Sequence, residues 1–440
     1  MVLKDFCHFC ETLGFFFLCK GDDSNESMKN PIGTPSAFVL ILACTATASV
    51  EIVNAATITV TNTNDTGAGS LRQALVVAQS GDTIVFDVTG AIGLTSGALN
   101  VSDFKNINVR GPGPNALVIN GNNTSFLFSV GRSDVSISDL TITNGRNDES
   151  EGGAIRMLPG SKLTLTNCII SNNSTAVDGG AISVNGSTDS CGGLETTLIL
   201  NYCTVSANSA SAFGGAIASV ACGQTAVTIN SCTITGNEAG LAGGGLYNDG
   251  GTRRSGVAKL TITNSTVSGN SADNAGGAFA NDGDTGFADL ILRYCTISGN
   301  SATLGDSISN EGRGVVTISN SILNASSSQN ISGRILSLGY NLSNDNGSGF
   351  LVHTGDQIST DPMLGQLQDN GGPTLTHALL PGSPAIDHGN PLFRPPPDED
   401  QRGCPFDRVF NSRVDVGAFE FQPMPPPCST PRPRPTPDPR

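Results

Sequence analysis

One short unit recurs along the middle of this chain and fixes the class of fold open to it. A Gly-Gly-Ala-Ile stretch starts at Gly152, Gly179 and Gly214. It returns as Gly-Gly-Gly-Leu at Gly243, as Gly-Gly-Ala-Phe at Gly276, and in degenerate form as Gly305-Asp306-Ser307-Ile308. The spacings are 27, 35, 29, 33 and 29 residues. A second half-motif alternates with it: LTLTNCIISNN from Leu163, LILNYCTVSAN from Leu198, VTINSCTITGN from Val227, LTITNSTVSGN from Leu260, LILRYCTISGN from Leu290 and VTISNSILNAS from Val316. Repetition at this period marks a solenoid.

The pattern inside one unit sets the architecture. Leu260 and Ile262 fall on one side of an extended strand, Thr261 and Thr263 on the other. After one turn residue, Ser265 and Val267 point inward and Thr266 and Ser268 outward, and the Gly-Gly-Ala-Ile stretch supplies a third strand. This predicts an all-β protein, a right-handed parallel β-helix with three strands per coil, the coils stacked at ~4.8 Å. The corner residues Asp139, Asn167, Tyr202, Ser231, Asn264, Tyr294 and Asn320 fit a left-handed backbone, which Asn and Asp tolerate best. A second column, Asn172, Asn208, Asn237, Asn270 and Asn300, is expected to end each third strand and to stack its amides. Cys168, Cys203, Cys232 and Cys295 share one inward position with Ser265 and Ser321, and read as a buried small-residue stack. Cys191 and Cys222 differ: they lie in loops of consecutive coils, and a disulfide between them is expected in an oxidising compartment.

Composition removes several classes. Charged residues are 14% of the 440, which argues against an exposed helix or coiled coil. A net charge of -15 argues against nucleic acid as a partner. No long uncharged apolar run follows the N-terminal region, so no membrane-spanning domain is expected beyond a signal segment.

Residues 28–56 read as a secretory signal, with Met28-Lys29 before an apolar core at 37–43 and a small-residue end at Val53-Asn54-Ala55. Residues 1–27 then form an upstream extension. A start at Met1 with Phe15–Leu18 as the apolar core is the competing reading. Leu40-Ile41-Leu42-Ala43-Cys44 also resembles a bacterial lipobox, which makes Cys44 a candidate lipid anchor. The expected organisation continues with an N-terminal cap and first coil at 57–106, β-helix repeats at 107–334, a C-terminal domain at 335–421 and a Pro-rich tail at 422–440. Within the cap, Ser70-Leu71-Arg72-Gln73 is a capping box, and Leu71, Ala74, Leu75 and Ala78 share one helical face. A short helix there would cover the open end of the first coil. An irregular segment is expected to cap the other end.

Three segments resemble known families. Asn64-Asp65-Thr66-Gly67-Ala68-Gly69-Ser70-Leu71-Arg72-Gln73 resembles the N-terminal segment of bacterial surface β-helix proteins of the CSLREA type, with Gly69 and Gln73 in place of that family's Cys and Glu. The glycine repeats are similar to those of chlamydial polymorphic outer membrane proteins. The companion motif departs, with Ile169, Val205, Ile234, Val267 and Ile297 where that family has Phe. Residues 361–389, with Asp400-Gln401-Arg402-Gly403 and the stretch 414–420, resemble the choice-of-anchor Q domain. Together these imply an exported bacterial β-helix, secreted or held at the cell surface or envelope in association with the outer membrane.

The fold also resembles pectate lyases and polygalacturonases, which implies Ca²⁺-binding Asp clusters with an Arg base, or paired carboxylates. The best candidate is a column beyond the third strand: Asn248-Asp249, Asn281-Asp282 and Asn310-Glu311, with Asp284, Arg253 and Arg254 in adjoining loops. Stacked carboxylates need a cation or a raised pKa, so Asp249, Asp282 and Glu311 are candidate Ca²⁺ ligands. Asp249, Asp282, Arg253 and Arg254 are the alternative catalytic set. Loop turns account for the same residues without any ligand. Two functions follow as expectations: a non-catalytic, adhesin-like or structural module binding a glycan or surface protein, or a polysaccharide-active enzyme using 247–289.

Overall fold

Strands of successive coils pair in parallel and in register, so each residue lies on its homologue. Val227, Leu260, Leu290 and Val316 form one such stack. The computed structural model describes residues 55–102, 105–185, 194–221, 223–251, 256–326 and 329–423. The chain winds as a right-handed parallel β-helix of about nine turns. Each coil contributes one strand to each of three sheets. Among the described residues the first sheet has 11 strands, the second 10 and the third 9. In one coil these strands are Val257–Thr263, Thr266–Ser268 and Phe279–Gly283. A minor ribbon of two-residue strands, among them Ser271–Ala272, lies between the second and third sheets. The expected signal segment up to Asn54, Cys44, the Cys191–Cys222 pair, Arg253, Arg254 and the tail from 424 lie outside the described residues.

The core is a continuous apolar column running from Val60 to Leu351. It exists because period-two alternation sends every second residue inward: Leu260, Ile262 and Val267 are all essentially inaccessible. The paired glycines close each coil. The first of each pair has φ between 65° and 79° from Gly152 to Gly305. A Cβ there would come within 2.2–2.5 Å of the carbonyl oxygen three residues on. A Cβ on the second glycine, at Gly153, Gly180, Gly215, Gly244 and Gly277, would meet the next coil's carbonyl oxygen at 2.1–2.5 Å. The sixth copy has Asp306 at this place, where its buried carboxylate accepts the Ala302 N–H at 3.0 Å.

The corner column has the expected left-handed backbone throughout, from Asp139 (φ 60°) through Tyr202, Asn264 and Tyr294 to Asn320 (φ 49°). The asparagine column is real but displaced from its expected place. It follows the second strand, not the third, and it begins at Asn173, not Asn172. Asn172 has φ 55° and occupies the turn position held elsewhere by Ala207, Gly236, Gly269 and Gly299. The next residue turns inward. From Asn173 through Asn208, Asn237 and Asn270 to Asn300, each side-chain amide donates to the next side-chain oxygen at 2.8–2.9 Å. Each oxygen also accepts the preceding residue's backbone N–H at 2.9–3.0 Å. The inward cysteines are free thiols, and the Cys203 N–H lies 3.2 Å from the Cys232 sulfur.

The N-terminal cap is the helix α1, Leu71–Val77, with Leu71, Ala74 and Leu75 buried on the core. The Ser70 hydroxyl accepts the Gln73 N–H at 3.2 Å. Asp65 and Arg72, both from the stretch 64–73, fasten the cap. Arg72 pairs with Asp65 at 2.7 Å and donates to the carbonyls of Gly97 and Ala98. Asp65 also accepts the Thr95 and Ser96 N–H groups. Burial opposes ionisation there, but those amides and Arg72 hold its carboxyl down to about 2.

At the other end Leu351 and Phe350 pack against the core column. The irregular segment does not stop there. It runs back along the outer face of the second sheet. Thr266 and Ser268, outward by alternation, are therefore buried: Thr266 donates to Gln401 at 2.6 Å and Ser268 meets His377 at 2.9 Å. Gln401 is wholly buried and donates to Thr233, Thr374 and Leu375, each at 3.0 Å. Arg402 pairs with Asp400 at 2.6 Å, its guanidinium between the Phe406 and Phe419 rings at 3.6 and 3.8 Å. The Asp-Gln-Arg-Gly motif is thus a latch.

Two outcomes test this packing. Asn173→Ala strips the buried Gly145 N–H of its acceptor and should cost about 1–3 kcal/mol in denaturant melts, whereas Asn172→Gly should stay within about 0.5 kcal/mol of wild type. Gln401→Ala should raise amide exchange and protease cutting across 357–421 while exchange in the first-sheet strands is unchanged. Equal loosening of the coils would show that the segment is not a separable latch.

Candidate functional site

The outer face of the third sheet carries the expected acidic column. Asp249 pairs in register with Asp282, and Asp282 with Glu311. Strand alternation separates them from their neighbours. Asn248, Asn281 and Asn310 point inward and make a second amide ladder at 2.8 Å per step. Asp249 and Asp282 are half-buried and Glu311 is exposed.

Both aspartates act first as turn formers. One Asp249 oxygen accepts the Gly251 N–H at 2.6 Å. Asp282 accepts the Asp284 N–H at 2.9 Å and the Tyr247 hydroxyl at 3.1 Å. Burial pushes the Asp249 carboxyl up, and the charges of Asp282 and Asp284 add to the rise. Among the described residues no group of three or more His, Cys, Asp or Glu side chains is placed to hold a metal ion. The column expected to ligate Ca²⁺ is stacked, but it is not a ready-made cage. Arg253 and Arg254, the expected basic partners, lie outside the described residues.

The structure adds groups the sequence reading passed over. Phe213 and Tyr247 stack with ring centroids 4.4 Å apart at 22°. With Ala218, Ala280, Val220 and Ala242 they form an apolar cluster separate from the core. Asp178, from the loop before Gly179, accepts the Phe213 N–H at 3.1 Å. Burial raises its carboxyl to about 6 against that hydrogen bond, with Glu151 and Asp249 contributing. Glu151 lies 3.8 Å from Arg156. Burial, together with Asp249 and Asp282, likewise holds the Tyr247 hydroxyl protonated. A signal for Tyr247 alone was present. Among the described residues the outward row reads Arg156, Ser183, Ala218, Tyr247, Ala280 and Ser309, with an aromatic in one of these coils.

One family model agrees with the winding. The family described as right-handed beta helix region matches residues 53–255. No curated protein matches the chain. Among solved structures, pectate lyase Pel9A is similar at 15% identity, covering 84% of this chain and 98% of that one, with a TM-score of 0.47. Jun a 1, the major allergen from cedar pollen, is similar at 14% identity, covering 70% and 78%, with a TM-score of 0.37. A PL6 family alginate lyase, AlyGC, is similar at 12% identity, covering 83% and 59%, with a TM-score of 0.25. Likeness this distant carries nothing about activity. Among the described residues no helix is long and apolar enough to cross a membrane.

The Asp178 environment makes a pH prediction. Its carboxyl titrates at about 6 folded against 3.8 ordinarily, so its favourable contribution is complete below 3.8 and lost as pH rises through 6. Asp178→Asn keeps an acceptor for the Phe213 N–H and carries no charge. The variant should therefore melt above wild type at pH 8, and the gap should close by about pH 4. A gap independent of pH would show that Asp178 is not held in this environment.

Proposed function

We propose that this chain is an exported or cell-surface β-helix protein that works as a non-catalytic, adhesin-like or structural binding module, with a glycan or a surface protein as partner. The observation carrying this reading is the division of its outer faces. The first sheet presents rows that are mainly small and polar, such as Thr164, Thr228, Thr261 and Thr317, broken by Ile199 and Ile291 and ending at Leu336. The second sheet is occupied by the chain's own C-terminal segment. Among the described residues, the third sheet and the bridge column at Phe213 beside it combine an aromatic pair with carboxylates that already serve as turn formers. Export rests on the signal pattern at 28–56, with processing near Ala55 or Ala56 or lipidation at Cys44. The CSLREA-like, polymorphic-protein-like and choice-of-anchor Q-like segments support an envelope location.

The alternative, a polysaccharide-active enzyme with Ca²⁺, is favoured by one observation: a raised Asp249 stacked on Asp282, a pair suited to acid–base work. One screen separates the two. The mature chain should release no unsaturated or reducing ends from polyuronates or neutral glycans, with or without millimolar Ca²⁺. It should still retain glycan or envelope material in pull-downs. Turnover abolished by Asp249→Asn/Asp282→Asn would establish the enzyme. A Ca²⁺-dependent rise in melting temperature lost in the same double variant would establish the metal site.

A further inference from the structure

We infer that the outer face of the third sheet, from Phe213 to Glu311, docks a linear amine-bearing glycan lying along the β-helix axis. This deepens the binding reading above and rests on it.

Three features converge. The floor is apolar: Phe213 stacks on Tyr247, and Ala242, Ala275 and Leu304 continue from Phe213 in parallel pairing, coil after coil. Leu304 is 51% exposed and Phe213 and Ala242 are half-buried, so the strip meets solvent at these residues, while Tyr247 and Ala275 are buried beneath. Beside it run Asp249, Asp282 and Glu311, one acid per coil, with Asp178 near the Phe213 end. A polymer laid along the axis therefore meets a carboxylate every ~4.8 Å.

Charge complementarity selects the occupant. Ionised carboxylates only accept hydrogen bonds, so they suit a donor-rich ligand with hydroxyl and ammonium groups. A polyuronate would bring its own carboxylates against this row and be repelled. An extended peptide ordinarily binds a sheet by adding a strand at an exposed edge. The interior strands here have both edges paired with neighbouring coils. What remains is a side-chain surface of apolar floor and acceptor rim, matching the apolar faces and polar edges of sugar rings.

The test uses the mature full-length chain in EDTA, with binding read by calorimetry. The probes are a glucosamine oligosaccharide, its N-acetylated counterpart, polygalacturonate and oligolysine. The glucosamine oligomer should bind, the acetylated form at least about tenfold more weakly, and polygalacturonate not at all. Phe213→Ala and Asp249→Asn/Asp282→Asn, each confirmed folded by circular dichroism, should each weaken binding about tenfold. Oligolysine binding as tightly as the sugar would overturn the proposal in favour of a surface read by charge alone. Polygalacturonate binding, or unchanged affinity in either of these variants, would also overturn it. If no probe binds while the chain still retains envelope material, this inference fails and the binding reading stands. If nothing is retained either, both fail.

Discussion

The ladder between coils is the interaction on which everything else here depends. Parallel pairing in register places each side chain on the homologous one above and below, at ~4.8 Å. Only residues compatible with copies of themselves can occupy such a column. Asn meets this condition best in the interior, because its amide donates on one side and accepts on the other. The Asn173–Asn300 ladder uses both capacities at every step. Small inward thiols and hydroxyls meet it at the Cys/Ser column, where the Cys232 N–H donates to the Ser265 hydroxyl. The glycine pairs meet it by having nothing to collide. Carboxylates do not meet it, since like charges one coil apart repel.

The same ladder explains how the ends and sides are treated. A stack of open coils leaves apolar core and unpaired backbone at each terminus. Here α1 covers one, held by the Asp65–Arg72 pair, and the stretch around Leu351 covers the other. The C-terminal segment then uses the second sheet's threonine row as a docking strip, so that Thr233, Thr266 and Thr296 are buried although they point away from the core. The segment bonds to that row chiefly through Gln401, the Leu375 carbonyl and the Ala418 N–H. An outward polar row is thereby turned into an internal interface without any change of strand pattern.

Much of this was legible in the sequence because a period-two strand repeated every ~30 residues admits few other arrangements. The corner column, the inward thiols and the face of α1 fell where the pattern placed them. The asparagine ladder was displaced by one residue at its start, because Asn172 and Asn173 are adjacent and only backbone geometry says which one turns inward. The burial of Thr266 and Ser268 was not legible. It depends on a segment about 110 to 135 residues further along the chain folding back, and no local period encodes such a contact. Of the candidate site, the acidic column was legible as a row. Asp178 and the Phe213–Tyr247 stack were not, because they meet only through the fold.

The repeat itself shows where to look for chemistry in a chain of this kind. Inward residues and coil-closing glycines are dictated by stacking, so their recurrence carries no functional content. Outward rows are free of that requirement, and a non-repeating residue there is set by something other than stacking. Tyr247 in a row of Arg, Ser and Ala is such a departure. The acids beside it go further, because stacking opposes them. Asp249 lies half-buried, with its carboxyl pushed up and Asp282 in register beside it. Turn formation accounts for an Asp in either place, through the Gly251 and Asp284 amides, but Asn would form the same turns without the repulsion. What distinguishes Asp from Asn at these positions is charge, and charge held against its own repulsion is relieved when a cationic ligand arrives.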